Sequence, residues 1–387
     1  MRAAADRTVV AAAAPAEAPP MPRATSPLGP RGARVDAAPW LSADKSAANA
    51  VGRPATKPPE ARGLDRDEVR LLVASESGVH HARFRDLTRF LRRGDLLVVN
   101  TSATLPAAIE GRRDDGREVV VHFSTALDDG RWVVEVRPPG RATGPVEDAR
   151  PGERIALEGG AELRLREPYS DASAPSTRLW VAGVAAADVI AMLHRHGRPI
   201  AYAYVEGRWP LAMYQTVFAR HPGSAEMPSA GRPFTRRLVA QLLTAGIEIA
   251  PVLLHTGVSS LGAGEAPLPE RFEVSAATAD CVTSARRERR RVIAVGTTAA
   301  RAVETVAAAD GTVSAGAGWT DLQLGPARPA RVLDGIITGW HEPGTSHLRL
   351  LEAIASPDTV RRAYREAIAA GYLWHELGDS CLLLSER

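Results

Sequence analysis

Three polar turns follow apolar runs typical of buried strands, and their side chains could hold a polar ligand or move a proton. They span residues 254–257, 296–298 and 338–341. His255 and His341 have side chains suited to general acid or base catalysis near neutral pH. Ligands of parallel sheets bind beyond the carboxyl ends of the strands, so we predict that the three turns meet at one edge and form a single site.

Each of these residues also has a plainer interpretation. Gly296 would let a ligand approach the backbone, and the hydroxyls of Thr297 and Thr298, with the N–H groups of a helix start, could hold an anionic or polar group. The same threonines could instead only cap the helix. His255 and His341, taken singly, could equally be core histidines with satisfied hydrogen bonds. The convergence of three turns favours a functional site.

Six sequence blocks follow one another along the chain, and three of them contain the turns described above. They lie at residues 214–216, 228–235, 254–257, 296–304, 318–321 and 337–343. Together they resemble the S-adenosylmethionine:tRNA ribosyltransferase-isomerase family, which builds the cyclopentenediol side chain of queuosine on tRNA. The resemblance runs from about residue 58 to the C-terminus.

The resemblance implies a specific reaction. In that family S-adenosylmethionine serves as a ribosyl donor, and the ribose is rebuilt into an epoxycyclopentanediol on an aminomethyl-deazaguanine base in the tRNA anticodon, giving epoxyqueuosine. Adenine and methionine are released. The resemblance implies no metal and no redox cofactor. It makes tRNA the expected partner, and we expect a monomer.

The resemblance also implies which residues form the site. It assigns catalysis to His255, His341 and Asp321, although Asp321 could equally be a turn residue. It assigns substrate binding to Asn100, Tyr214, Gln215, Thr216, Pro228, Ala230, Gly231, Thr297, Thr298 and Arg301. Pro228, Ala230 and Gly231 would shape the loop that binds the donor.

The chain departs from the family pattern at several polar positions. After Asn100 the family carries Asp-Thr-Arg, whereas residues 101–103 of this chain are Thr-Ser-Ala. Where the family has paired histidines, this chain has Glu265 and Leu268, and where the family has a lysine, it has Gly344. Each lost group costs about 1–3 kcal/mol if it bonds substrate. Two alternatives therefore stay open, a paralogue with another acceptor and a non-catalytic RNA- or nucleotide-binding relative. New polar groups that could belong to a rebuilt site are Arg232, Glu342 and His347.

Composition limits the class of protein. The chain has 387 residues, of which 45% are hydrophobic and 24% charged, so it can form two globular domains. It contains no run of eighteen apolar residues, and we expect a cytoplasmic protein without a membrane span. Its two cysteines, Cys281 and Cys381, are far apart, which argues against a disulfide framework and a zinc site.

Changes of pattern along the chain predict the domains. Residues 1–55 are rich in Ala and Pro and predict a disordered extension. Residues 107–185 contain short alternating strands separated by Gly and Asp turns, which predict a small inserted β-barrel. Residues 56–106 and 186–387 alternate strands with helices, which predicts an α/β domain with a large mixed, mostly parallel sheet.

Arginine supplies nearly all the positive charge, because Lys45 and Lys57 are the only lysines and the net charge is +3. Arginine suits phosphate recognition, but a GC-rich coding sequence gives the same bias. For the densest cluster, residues 286–291, we expect an exposed helix end more than a phosphate site.

Overall fold

A computed structural model describes residues 52–140, 144–169, 178–258, 268–342 and 346–386. These ranges form a nine-stranded sheet, a closed six-stranded barrel and a two-stranded sheet. Most of the proposed disordered extension lies outside them. Its last residues belong to the ordered domain, because Ala55 N donates to Trp374 O (3.1 Å) and Trp374 N donates to Arg53 O (2.9 Å).

The strands of the described ranges are β1 (Arg70–Ser75), β2 (Gly78–Arg83), β3 (Leu96–Asn100), β4 (Ser102–Thr104), β5 (Ala108–Arg113), β6 (Glu118–Ala126), β7 (Trp132–Arg137), β8 (Arg154–Leu157), β9 (Glu162–Pro168), β10 (Leu179–Val184), β11 (His221–Ser224), β12 (Glu248–Leu254), β13 (Glu270–Val274), β14 (Val292–Val295), β15 (Gly316–Thr320), β16 (Gly335–Thr338) and β17 (Ser380–Leu384). The α-helices are α1 (Val189–His196), α2 (Arg236–Thr244), α3 (Ala276–Arg287), α4 (Thr297–Thr305), α5 (Ser346–Glu352) and α6 (Pro357–Ala369). Short 3-10 helices include Pro59–Arg62, Phe84–Arg89 and Ser229–Gly231.

The large sheet is mixed, as predicted, and its strand order is β15-β13-β12-β3-β14-β16-β17-β1-β2. Parallel pairing joins β12, β3, β14 and β16 at its centre and joins β17 to β1. The other four neighbouring pairs within the described residues are antiparallel. The carboxyl ends of the four central strands therefore lie at one edge, and β15 also ends there because two antiparallel steps separate it from β12.

Strand β3 shows why the sheet lies between two layers of helices. All five of its residues are buried, which is typical of a central parallel strand covered on both faces. Leu96 and Val98 join the core that contains α3, α4 and α6, whereas Leu97 and Val99 join the core that contains α2.

Helix starts follow the local signals of the sequence. Ser356 accepts a hydrogen bond from Thr359 N (3.3 Å) at the start of α6, with Pro357 in the first turn. Helix α1 begins at Val189. Strand β10 continues to Val184, and Asp188 caps α1.

The barrel is closed, in the order β10-β7-β6-β5-β8-β9, because β10 pairs with both β7 and β9. Its strands lie within residues 107–185. Gly116 and Gly130 take positive φ values of 87° and 82° in the predicted turns. The barrel contacts the carboxyl edge of the large sheet, since Val258 N donates to Ser124 Oγ of β6 (3.0 Å).

The arginine cluster at residues 286–291 makes structural ion pairs. Arg286 contacts Asp334 (2.7 Å), and Arg291 Nε donates to Asp95 Oδ1 (3.0 Å). Arg290 pairs with Glu248 across 3.0 Å. These pairs hold the α3–β14 connection against the sheet. Among the described helices, none has the length and apolar character needed to cross a bilayer.

Glu304 of α4 provides a test of how the last central strand is held. Its carboxylate is fully buried and accepts hydrogen bonds from Arg331 N (2.9 Å), Val332 N (2.9 Å) and Leu333 N (3.3 Å), in the segment that leads into β16. Glu304→Ala would leave these buried donors unpaired, so we expect it to lower the free energy of unfolding by about 3 kcal/mol.

Chemical denaturation of the two proteins would measure the change. Glu366→Ala, at an exposed position of α6, is the matched control, and we expect it to change stability by less than about 0.5 kcal/mol. Equal effects of the two substitutions would contradict the assignment.

Candidate functional site

Asn100, the last residue of β3, joins three of the elements that surround the site. Its side-chain Nδ2 donates to Leu254 O (2.8 Å) and to Thr298 Oγ1 (3.1 Å). Its Oδ1 accepts from Leu254 N (3.0 Å) and Ser102 N (3.0 Å). Both donor and both acceptor positions of the amide are thus used. The ends of β3 and β12 and the start of α4 are fixed relative to one another.

His255 follows β12 and is held by a chain of hydroxyl groups. Ser102 Oγ lies 2.8 Å from His255 Nδ1 and 2.6 Å from Ser224 Oγ, which accepts from Thr256 N (2.9 Å). Burial, aided by the positive charge of Arg271, lowers the pKa of His255 to about 4. The ring is therefore neutral at pH 7, and its Nδ1 atom is held by the Ser102 hydroxyl.

The start of α4 lacks a side-chain cap. Gly296 occupies the N-cap position with φ 93°, and within the described ranges no side chain caps the first N–H groups of the helix. The interpretation of Thr297 and Thr298 as capping residues is therefore wrong. Both threonines are only partly buried, and the N–H groups of the first turn remain available for an anionic or polar ligand.

The loop predicted to bind the donor packs against this helix start. Pro228 precedes the 3-10 helix Ser229–Gly231. A Cβ added to Gly296 would lie 3.2 Å from Ala230 Cβ, and one added to Gly231 would lie 3.2 Å from Thr216 Cγ2. The structure thus brings Ala230, Gly231 and Thr216 to the same edge as Asn100.

Tyr214 and Gln215 brace the neighbouring strand β4. The Gln215 side chain accepts from Thr104 N (3.0 Å) and donates to Thr104 O (2.8 Å), and Tyr214 O accepts from Thr104 Oγ1 (2.8 Å). Tyr214 is buried, and burial raises the pKa of its hydroxyl. These contacts position the backbone, and direct substrate contact by the two side chains stays a prediction.

His341 lies beyond the end of β16. Its Nε2 is 2.8 Å from Thr338 Oγ1, and its ring stacks on His347 with centroids 4.4 Å apart. Burial, with the nearby His347 and His375, holds the pKa of His341 well below its usual value, and burial lowers that of His347 to about 4. The site thus contains a stacked pair of neutral imidazoles.

Asp321 and Arg301 differ in their surroundings. Asp321 is exposed and follows β15, at the same edge of the sheet. Arg301 is buried; it pairs with Glu270 and donates to Thr320 O (3.1 Å) and Leu322 O (3.1 Å). These contacts brace α4 against the outer strands, so a substrate contact by Arg301 stays a prediction.

The turns after β12, β14 and β16 and the end of β3 therefore share one edge, which spans roughly 14 Å at the usual spacing of neighbouring strands. The sequence did not identify Ser102 and Ser224, because the short β4–β11 pairing that brings them to His255 has no clear pattern. Within the described ranges, no group of three or more His, Cys, Asp or Glu side chains could hold a metal ion.

Comparisons with known proteins identify relatives over most of the chain. The family model described as "Queuosine biosynthesis protein" matches residues 52–383. An S-adenosylmethionine:tRNA ribosyltransferase-isomerase of Heliobacterium modesticaldum is 36% identical over 333 residues, covering 82% of this chain and 94% of that protein. One of Moorella thermoacetica is 34% identical over 350 residues, with the same coverage. A crystal structure of an S-adenosylmethionine tRNA ribosyltransferase from Thermotoga maritima covers 91% of this chain and 99% of its own, with 24% identity and a TM-score of 0.47.

The position of the His255 ring can be tested through Gly223. A Cβ added there would lie 2.4–2.6 Å from His255 Cε1, Nδ1 and Nε2, so Gly223→Ala must displace the ring. Displacement exposes the imidazole, and we expect the pKa of His255 to rise from about 4 toward 6.5. A nuclear magnetic resonance titration of the histidine ring signals measures this shift.

The control is Gly144→Ala, because an added Cβ at Gly144 meets no atom within 4 Å. The neutral form of His255 also contributes to the free energy of unfolding, and this contribution depends on pH. The unfolded chain binds more protons at His255 between about pH 4 and 6.5, so this contribution is complete above pH 6.5 and is lost as the pH falls. A wild-type His255 that titrates near 6.5 would contradict the described packing.

Proposed function

Because this chain belongs to the queuosine biosynthesis protein family, we propose that it is an S-adenosylmethionine:tRNA ribosyltransferase-isomerase. The observation that carries the proposal is the common edge of the sheet, where Asn100 ties the end of β3 to the turn that carries His255 and to the start of α4. That edge is where an α/β sheet binds its ligands.

In the proposed reaction S-adenosylmethionine donates its ribosyl group. The acceptor is an aminomethyl-deazaguanine base in the anticodon of tRNA, whose amine forms the new bond to carbon. The ribose is rebuilt into an epoxycyclopentanediol, and adenine and methionine leave. A base must take the acidic proton from the carbon next to the sulfonium, and a further group must assist the departure of adenine.

The donor would lie against the start of α4. The uncapped N–H groups and the hydroxyls of Thr297 and Thr298 suit hydroxyl or carboxylate oxygens of the donor. The loop that contains Pro228, Ala230 and Gly231 packs on this helix start and would cover the nucleoside. Arg301 supports this arrangement from behind through its ion pair with Glu270.

His255 would be the base that takes the proton next to the sulfonium. Its ring is neutral at pH 7, and the Ser102 hydroxyl at Nδ1 orients it so that Nε2 can receive the proton. His341, neutral and fixed by Thr338, would hydrogen-bond the leaving adenine. Asp321, which is exposed at the same edge, would be a further catalytic group.

The tRNA would lie between the sheet edge and the barrel. Ser124 of the barrel bonds the backbone of Val258, just after the His255 turn, so the barrel forms a second wall beside the site. Base contacts would then come from the edge and phosphate contacts from exposed arginines.

Incubation with S-adenosylmethionine and tRNA that carries the aminomethyl-deazaguanine precursor tests the proposal. We expect the wild-type protein to release adenine and methionine. We expect His255→Asn to lower kcat by about 100-fold or more, because it removes the proton acceptor. His194→Asn, at an exposed position of α1, is the matched control.

Two results would contradict the proposal at different levels. No release above the blank by the wild-type protein would exclude this activity. Release that is equally fast in the two histidine variants would exclude His255 as the base and leave the activity itself intact.

A further inference from the structure

A small cavity lies beside the donor loop, where the chain turns from α6 into β17. It has a volume of about 10 Å³, near the space of one water-sized group. Residues that line it include Ser229, Ala230, Arg232, Gly339, Glu376 and Asp379. It therefore adjoins both the loop at residues 228–231 and the turn that leads to His341.

Four ionisable groups line this cavity, and three of them have partners. His375 Nε2 lies 3.5 Å from Glu342 Oε1. Arg232 pairs with Glu60 (2.8 Å) and also donates to Met213 O (2.9 Å). Asp379 pairs with Arg70 (3.0 Å). Their charges are balanced within the protein.

Glu376 is the exception among these groups. Its Oε2 atom is buried and has no hydrogen-bond partner among the described residues. Burial raises the pKa of Glu376 to about 7, so the carboxyl is partly ionised at neutral pH. A buried carboxylate oxygen without a hydrogen-bond partner is costly to the fold, and such an oxygen at the edge of a cavity points to a ligand that supplies a positive charge.

Aromatic side chains lie near this carboxyl. Tyr204 stacks on His375 (centroids 4.6 Å apart) and on Tyr202 (5.6 Å), and the Tyr204 hydroxyl is also buried with no hydrogen-bond partner in the described part of the chain. Burial and the nearby Glu226 and Glu376 raise the pKa of Tyr202 well above its usual value.

The backbone is strained at the same place. His375 has φ 67°, a left-handed conformation that is strained for a non-glycine residue. It starts a turn in which Gly378 N donates to His375 O (3.0 Å), with Glu376 at the second position. Strain of this kind persists at ligand sites, where it holds a side chain in place.

We propose that Glu376 binds a protonated amino group of a substrate in this cavity, with its carboxylate accepting the N–H bonds of the ammonium. An ammonium group is about the size of a water molecule and supplies a positive charge to pair with the Glu376 carboxylate. The inference rests on the proposed function, in which two ammonium groups enter the site. One is on the methionyl part of the donor, and the other is the aminomethyl group of the acceptor.

Calorimetry with Glu376→Gln tests the donor as the source. The variant keeps the shape and removes the charge. If Glu376 binds the ammonium of the donor, the variant binds S-adenosylmethionine at least tenfold more weakly. Its affinity for 5′-methylthioadenosine, which lacks the amino acid part, stays the same. Glu366→Gln, at an exposed position of α6, is the control and should bind both ligands as the wild type does.

Steady-state kinetics tests the acceptor as the source. In that case Glu376→Gln binds S-adenosylmethionine normally, but its KM for the precursor tRNA rises at least tenfold. Unchanged donor affinity together with unchanged tRNA kinetics would overturn the inference and leave the proposed function standing. A wild-type protein that binds no S-adenosylmethionine would overturn both.

Discussion

The hydrogen bonds of one buried amide hold the candidate site together. Asn100 bonds both backbone groups of Leu254 and the hydroxyl of Thr298, so three segments far apart in sequence meet within one residue's reach. The His255 turn, the uncapped start of α4 and the loop that packs on Gly296 all take their positions from this contact. The binding of a ligand across this edge would therefore depend on the hydrogen bonds of Asn100.

Local patterns were sufficient to predict the main architecture. Alternating runs with Gly turns at residues 116 and 130 predicted the barrel, and the apolar run at β14 followed by Gly296 predicted a strand and helix. The outer antiparallel strands were harder to predict. Strand β2 has no fully buried residue and contains His80 and His81, so neither its hydrophobicity nor its turns distinguish it from a loop.

The site was predictable only in part for a similar reason. Strand order places His255, Thr298 and His341 at one edge, which follows from the parallel centre of the sheet. The partners of these residues come from non-local pairing that leaves no spacing signal. Ser102 reaches His255 only through β4, and the position of the Glu376 carboxyl depends on a left-handed residue before it.

A crystal structure of the protein with S-adenosylhomocysteine tests the central claim most directly. We predict that the nucleoside lies at the carboxyl edge of β12, β3, β14 and β16, in contact with His255, Thr298 and the loop of residues 228–231. A nucleoside bound at the opposite edge of the sheet, or inside the barrel, would contradict this account.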